Sequence, residues 1–167
     1  YIQSGEKCLK VVENSPKLLL GDAKLLIGEY SHSLDPKGRV FMPAKFREEL
    51  GEKFIVSRGI GKCLFVFSPE MWLEFAGKLK SIPMTDSKGQ VFLRMLFASA
   101  EEVKPDKQGR ILLPANLRSF AGLEKECALV GVGSRVEIWD KDRWEATTSY
   151  DDMDEIADHM LELGLSI

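Results

Sequence analysis

An internal repeat divides the sequence into two similar halves. The segment DPKGRVFMP at residues 35–43 returns as DKQGRILLP at residues 106–114, with every identity offset by 71 residues. After one extra residue the similarity continues at an offset of 72, where Trp72 matches Trp144. A match of this length predicts two copies of one module of about 45 residues, joined by a helical connector.

A single copy is too small to bury an adequate core, because small modules retain too much surface for their volume. The two copies must therefore pack together. We expect a mainly β structure of the α+β class, with pseudo-two-fold symmetry and with strands exchanged or interleaved between the halves. Apolar side chains at helical spacing in residues 91–99 and 153–163 predict helices that lie against the outside of this structure.

Each copy begins with a strand, a tight turn and a second strand. Residues 30–34 alternate between apolar and polar in the manner of a half-buried strand. Asp35, Pro36 and Gly38 occupy positions that these residue types favour in a type I turn. The β-prone residues 39–42 then form a strand whose side chains alternate between two faces.

The rest of the copy contains helix signals and two further strands. Pro43 removes a strand donor and starts a short helix, which we expect to end at Gly51 in a left-handed cap. Strands are predicted at residues 54–57 and 64–67. A second helix follows, with Ser68 as its N-cap.

The charge of the chain is unevenly distributed. A net charge of −3 and a pI near 5.5 oppose nucleic-acid binding. However, residues 27–148 contain 19 Lys and Arg against 17 Asp and Glu, whereas residues 149–167 contain six acidic residues and no Lys or Arg. The middle of the chain can therefore present local basic patches. The acidic end is either a solvated helix face or a regulatory element.

Residue types that support catalysis or metal binding are sparse, so we predict no enzyme activity, metal or cofactor. Cys8, Cys63 and Cys127 include no CxxC pair, which fits a reducing compartment, with Cys63 and Cys127 as small buried residues. His32 and His159 have no spacing suited to a metal or to a nucleophile and its base. No apolar run is long enough to span a bilayer.

The repeated Asp-x-x-Gly-Arg turn carries the functional signal. Glycine allows a tight reversal, and the arginine that follows projects from a rigid strand edge, where it can bind phosphate or guanine. The alternative is that Arg39 and Arg110 only form ion pairs with Asp35 and Asp106 of their own turns. A catalytic pair of these two aspartates is disfavoured, because both occupy turn-initiating positions. Further cations surround the turns: Lys37, Lys45, Arg47, Lys107 and Arg118.

The strings EYSHSLDPKGRVFMPAKFREELG at residues 29–51 and DKQGRILLP at residues 106–114 closely resemble the MraZ family of bacterial transcriptional regulators. The similarity runs from about Ile27 to Leu163. It implies two SpoVT-AbrB-type domains, each part of a swapped-hairpin barrel of the AbrB superfamily, and a closed homo-oligomeric ring. It also implies binding of short direct repeats upstream of the division and cell-wall gene cluster that begins with the regulator's own gene.

The resemblance places the family's DNA contacts at Lys37 and Arg39 and, through the repeat, at Lys107 and Arg110. Gln108 stands where the first turn has Lys37, which makes the second turn less basic. The complete predicted set of DNA-binding residues is Lys37, Arg39, Lys45, Arg47, Lys107 and Arg110.

The expected organisation has domain 1 at residues 29–71, a helical connector at 72–99, domain 2 at 100–143 and an acidic helical segment at 144–167. Residues 1–26 form an extension, of which residues 1–24 lack a family counterpart. Our hypothesis is that they are upstream sequence translated from a misplaced start, with initiation at Leu25 or Leu26 through an alternative codon.

We therefore expect a cytoplasmic, nucleoid-associated repressor that binds double-stranded DNA, with no membrane partner and no small-molecule substrate. Two alternatives remain. One is a ring-forming scaffold that works through protein contacts alone, with its acidic end as the docking element. The other is an enzyme on a β-barrel scaffold, which a ligand-filled cleft lined by Asp35 and Asp106 would favour.

Overall fold

The structure is a computed structural model that describes residues 25–148 and 152–165. Cys8 and the hypothesis of a misplaced start at residues 1–24 lie outside the described residues. Within them, no helix is both long and apolar enough to cross a membrane.

The first repeat contains four strands and one helix before the connector. In chain order these are β1 (Leu26–Ser33), β2 (Arg39–Phe41), α1 (Ala44–Leu50), β3 (Phe54–Arg58) and β4 (Leu64–Phe67). The connector contains two helices, α2 (Pro69–Leu79) and α3 (Ser87–Ser99). The second repeat has the same order of elements and is followed by two helices: β5 (Glu101–Val103), β6 (Arg110–Leu112), α4 (Ala115–Ala121), β7 (Glu126–Gly133), β8 (Val136–Asp140), α5 (Lys141–Thr147) and α6 (Met153–Glu162).

Strands from the two repeats are interleaved, as the sequence predicts. The main sheet is antiparallel in the order β1-β7-β8-β4-β3-β5, and β2 pairs with β6 in a separate two-stranded ribbon. The first strand of each repeat therefore pairs with the third strand of the other repeat. Equivalent strands pair with each other at the centre, β4 with β8 and β2 with β6. This arrangement confirms a mixed fold with a mainly antiparallel sheet and pseudo-two-fold symmetry.

Two clusters of buried apolar side chains stabilise the sheet. The larger cluster joins both repeats, since it contains Val40 and Ile111 of the ribbon together with Phe46 and Leu117 of helices α1 and α4. The smaller cluster lies around Phe67 and Trp139, where side chains of α2 and α3 cover it. Apolar burial at both sites thus depends on residues from both halves of the chain.

Three local features differ from the predictions. Strand β1 begins at Leu26, four residues before the expected start, because Leu26 pairs with Gly133 of β7. Pro43 is the N-cap of α1 and precedes the helix instead of being its first residue. Gly51 has φ 92° and ψ −161°, which is a positive φ outside the left-handed helical region.

The two flanking helical segments behave differently. Helix α3 packs onto the structure and buries Leu96 and Ser99. Helix α6 buries none of its residues, and its side chains Met153, Ile156 and Leu161 are exposed. The expectation that the C-terminal segment lies against the outside of the sheet stays a prediction for α6.

Candidate nucleic-acid interface

The first Asp-x-x-Gly-Arg turn is held by the carboxylate of Asp35. Its Oδ1 accepts hydrogen bonds from the backbone N–H groups of Lys37 at 3.0 Å and Arg39 at 2.8 Å. Its Oδ2 accepts from Nε of Arg39 at 2.6 Å. The backbone closes the turn, because Gly38 N–H donates to the Asp35 carbonyl at 2.9 Å. One carboxylate thus fixes both the turn and the side chain of Arg39.

The second turn repeats this geometry. Oδ1 of Asp106 accepts from the N–H groups of Gln108 and Arg110, both at 2.9 Å. Its Oδ2 accepts from Nε of Arg110, also at 2.9 Å. Gly109 N–H donates to the Asp106 carbonyl at 2.9 Å. Since both turns adopt the same bonding pattern, the sequence repeat is a structural repeat at this level of detail.

Hydrogen bonds to these carboxylates keep them ionised. The Arg39 N–H holds the pKa of Asp35 below its ordinary value of 3.8, and the Arg110 N–H does the same for Asp106. A lowered pKa means that the carboxylate stabilises its turn at neutral pH and loses that effect only when acid protonates it. The anchoring of both arginines therefore persists across the neutral pH range.

Pairing of β2 with β6 brings the two turns together. Arg39 lies opposite Leu112, and Arg110 lies opposite Phe41. Nη1 of Arg110 also lies 3.9 Å from Oδ2 of Asp35 in the other turn. The outer face of the ribbon therefore presents both arginines at diagonal positions, Arg39 opposite Leu112 and Arg110 opposite Phe41.

Both arginines form the local ion pairs that the sequence left open as an alternative. Each uses Nε for this contact, and each side chain is about one-third exposed, at 28% for Arg39 and 30% for Arg110. The Nη atoms of an arginine form the end of the guanidinium fork, which points away from Nε. An aspartate that binds Nε consequently orients the fork without occupying it.

The remaining predicted site residues lie around the ribbon. Lys37 and Lys107 are exposed on the two turns, and Lys45 is exposed on the first turn of α1. Arg47 is half-buried, and its Nε donates to the Met42 carbonyl at 2.9 Å. The structure therefore places Lys37, Arg39, Lys107 and Arg110 on the ribbon and its two turns, and Lys45 and Arg47 on the helix that follows β2.

Two residues of this surface received no specific role from the sequence. Leu112 is 56% exposed beside Arg39, although it is a large apolar residue in a strand. Arg118 donates from Nη1 to the Leu113 carbonyl, and Arg47 donates from Nε to the equivalent Met42 carbonyl. Strand alternation identifies Leu112, since it shares a face with Arg110. The repeat identifies Arg118, which matches Arg47 at the offset of 71.

The two described cysteines and His32 lie in structural positions. Cys63 and Cys127 are buried, and burial raises the pKa of each thiol to about 12. The ring of His32 packs edge-on against the ring of Phe41, with the two ring centroids 5.0 Å apart. Among the described residues, no group of three His, Cys, Asp or Glu side chains is arranged to hold a metal ion.

Comparisons with known proteins identify the family of the chain. A family model described as "MraZ protein, putative antitoxin-like" matches residues 25–95 and again residues 96–163. A transcriptional regulator MraZ of Acetivibrio thermocellus is 51% identical over 143 residues, which cover 84% of this chain and all of the relative. One of the same name from Alkaliphilus oremlandii is 52% identical with the same coverage.

These names describe regulators and no enzyme, in agreement with the prediction that the chain is not an enzyme. The two family matches divide the chain close to the end of α3, so each contains one Asp-x-x-Gly-Arg turn. The repeat, the paired turns and the relatives thus lead to one conclusion: the chain belongs to the MraZ family.

Proposed function

We propose that this protein regulates transcription by binding double-stranded DNA through the β2–β6 ribbon. The observation that carries the proposal is the pair of arginines on one ribbon face, each held at Nε by the aspartate of its own turn. This contact leaves the end of the Arg39 fork available, whereas Nη1 of Arg110 also lies 3.9 Å from Oδ2 of Asp35. The relatives' names support the regulatory role.

The geometry of the ribbon suits DNA recognition. A two-stranded ribbon fits the major groove, where an arginine fork pairs with O6 and N7 of guanine. Arg39 and Arg110 supply such forks. The exposed Leu112, which lies opposite Arg39, suits the methyl group of thymine, and the exposed Lys37 and Lys107 suit flanking phosphates.

Lys45 and Arg47 complete the proposed interface from α1. Lys45 is exposed at its edge and provides a further phosphate contact. Arg47 lies beneath the second turn, where a Cβ built on Gly109 would meet its Cζ at 2.8 Å. Arg47 therefore contributes to DNA binding by supporting the second turn from beneath.

The resemblance to the MraZ family supports the finer features of the proposal. We infer that the targets are short direct repeats upstream of the protein's own gene in a division and cell-wall cluster, that the effect is repression, and that the protein works in the cytoplasm at the nucleoid. The interleaved strands are consistent with two SpoVT-AbrB-type domains that form a swapped-hairpin barrel.

We further infer that the protein assembles into a homo-oligomeric ring. Large apolar residues are exposed away from the ribbon, on α2 and α3 at Leu73, Val91 and Phe97, and on α6 at Met153 and Ile156. Exposed apolar surface of this kind is typical of protein–protein contacts. A ring would present several ribbons to repeated DNA sites and raise affinity through effective concentration.

The two turns should contribute unequally to DNA binding. Arg39→Ala is expected to abolish specific binding, because each lost bidentate base contact costs about 1–3 kcal/mol and a ring multiplies the loss. Arg110→Ala should weaken binding less. Its turn has Gln108 in place of a lysine, and its guanidinium is shared between Asp106 and Asp35.

The measurement is a titration of each variant against promoter DNA that carries at least two repeats. Circular dichroism and light scattering serve as controls for folding and assembly. If the Arg110 variant lost binding while the Arg39 variant retained it, the assignment of the first turn as the dominant contact would be wrong.

A second test asks whether Asp35 orients Arg39 or sequesters it. In Asp35→Asn the side-chain oxygen can still accept the two turn N–H groups, but the amide NH₂ then faces Nε of Arg39, and two donors cannot bond. We expect the preference for promoter over scrambled DNA to fall by about tenfold. Sequestration predicts the reverse, a gain in promoter affinity. Asp86→Asn, which removes the same charge from the N-cap of α3, is the matched control.

Light scattering tests the assembly. The expected mass is a multiple of the 18.8 kDa chain, and Leu73→Ser should lower it because the substitution removes exposed apolar surface. Glu74→Ser, at the adjacent exposed position, should leave the mass unchanged. A single monomeric species of the unaltered protein at working concentration would contradict the ring.

A further inference from the structure

Arg47 reaches from the first repeat into the second. Its guanidinium covers Gly109, where a built Cβ would meet Cζ at 2.8 Å and Nε at 3.1 Å. Its Nε donates to the carbonyl of Met42, and the N–H of Met42 donates to the carbonyl of Gly109 at 2.9 Å. Arg47 and Met42 thus enclose the turn glycine of the other repeat.

Arg118 makes the reciprocal contact. A Cβ built on Gly38 would collide with the guanidinium of Arg118, so that group occupies the space beside the glycine. Nη1 of Arg118 donates to the carbonyl of Leu113, and the N–H of Leu113 donates to the carbonyl of Gly38 at 2.9 Å. Both turn glycines are buried beneath an arginine of the other repeat.

Glycine meets two requirements at these positions. Gly38 and Gly109 have φ of 82° and 81°, a region that side chains with a Cβ rarely adopt. The absence of a Cβ also lets a flat guanidinium approach the backbone. Lysine has a compact ammonium group on a flexible stem, so it cannot replace this planar contact.

We propose that Arg47 and Arg118 are positioning residues for DNA binding, each of which holds the turn of the other repeat. Arg118 holds the turn that carries Lys37 and Arg39, and Arg47 holds the turn that carries Lys107 and Arg110. The inference rests on the proposed function, since the turns are the proposed DNA contacts. It also goes beyond that function, because each arginine holds the turn of the other repeat and not the turn that is nearer in the sequence.

The exchange has a measurable consequence for DNA binding. If the first turn dominates, Arg118→Lys in the second repeat should weaken binding more than Arg47→Lys in the first. The alternative is that each arginine contacts phosphate directly beside the turn of its own repeat. In that case Arg47→Lys should weaken DNA binding more than Arg118→Lys, or neither variant should lose much affinity, because lysine retains the charge. The variant that loses more DNA affinity therefore distinguishes the two mechanisms.

The first experiment needs no DNA and measures hydrogen exchange of the turn amides in the full chain. Arg118→Lys should raise the exchange rate of the Gly38 amide by at least about tenfold and leave Gly109 unchanged. Arg47→Lys should do the reverse. Arg94→Lys, an exposed position on α3, is the matched control and should change neither amide. Exchange that rises only in the turn of the substituted repeat would overturn the proposal.

The second experiment titrates the same variants against promoter and scrambled DNA. We expect Arg118→Lys to lower the promoter preference about tenfold and Arg47→Lys by about threefold. In an Arg110→Ala background, Arg47→Lys should have little further effect, whereas Arg118→Lys should keep its full effect. Equal effects of the two lysine variants in both backgrounds would overturn the proposal.

Thermal unfolding identifies variants whose loss of binding reflects loss of the fold. If Arg118→Lys does not fold, Arg118→Gln replaces it in both experiments. The two experiments also separate failure of this inference from failure of the proposed function. If the unaltered protein does not distinguish promoter from scrambled DNA, the proposed DNA-binding function is wrong. The role of Arg47 and Arg118 in DNA binding is then wrong as well. The crossed exchange pattern alone then decides whether each arginine holds the opposite turn.

Discussion

Pairing between β2 and β6 is the interaction on which the rest of the structure depends. Each strand has only three residues, and within the described chain each pairs only with the other. Val40 and Ile111 lie opposite each other and are buried in the shared core, while the neighbouring positions carry Arg39 and Arg110 outward. One short ribbon thus joins the repeats on its inner side and presents the candidate DNA contacts on its outer side.

Interleaving explains why neither repeat is complete alone. Strand β1 finds its partner β7 in the second repeat, and β5 finds its partner β3 in the first. Separated repeats would leave these strand edges unpaired and half of the core exposed. The turns are exchanged in the same way, because Arg47 of the first repeat contacts Gly109 of the second, and Arg118 of the second repeat contacts Gly38 of the first.

The ion pairs within the turns are compatible with DNA binding by an acidic protein. The carboxylates of Asp35 and Asp106 contact Nε and the turn backbone, so they fix the direction of each arginine. A guanidinium that is oriented before binding loses less conformational entropy when it meets DNA. The acidic residues nearest the proposed contacts therefore position the basic ones.

Much of the fold was predictable, because the repeat located both turns and local patterns located most strands and helices. Local patterns also predicted that side chains of residues 39–42 alternate between two faces, and in the structure Val40 is buried while Arg39 and Phe41 are partly exposed. The partner of each strand was not predictable, since pairing depends on contacts between residues far apart in the chain. The contact between Arg118 and Gly38 escaped prediction for the same reason, because 80 residues separate them.

The salt dependence of DNA binding by the unaltered protein tests the central claim most directly. Affinity for the DNA upstream of its own gene would be measured against scrambled DNA from about 0.05 to about 0.3 M salt. Because each neutralised phosphate releases counterions, we predict a log–log slope of about −3 or steeper, with tighter binding to the upstream DNA throughout. A flat slope, or equal affinity for the two DNAs, would contradict a ribbon that contacts phosphate and bases.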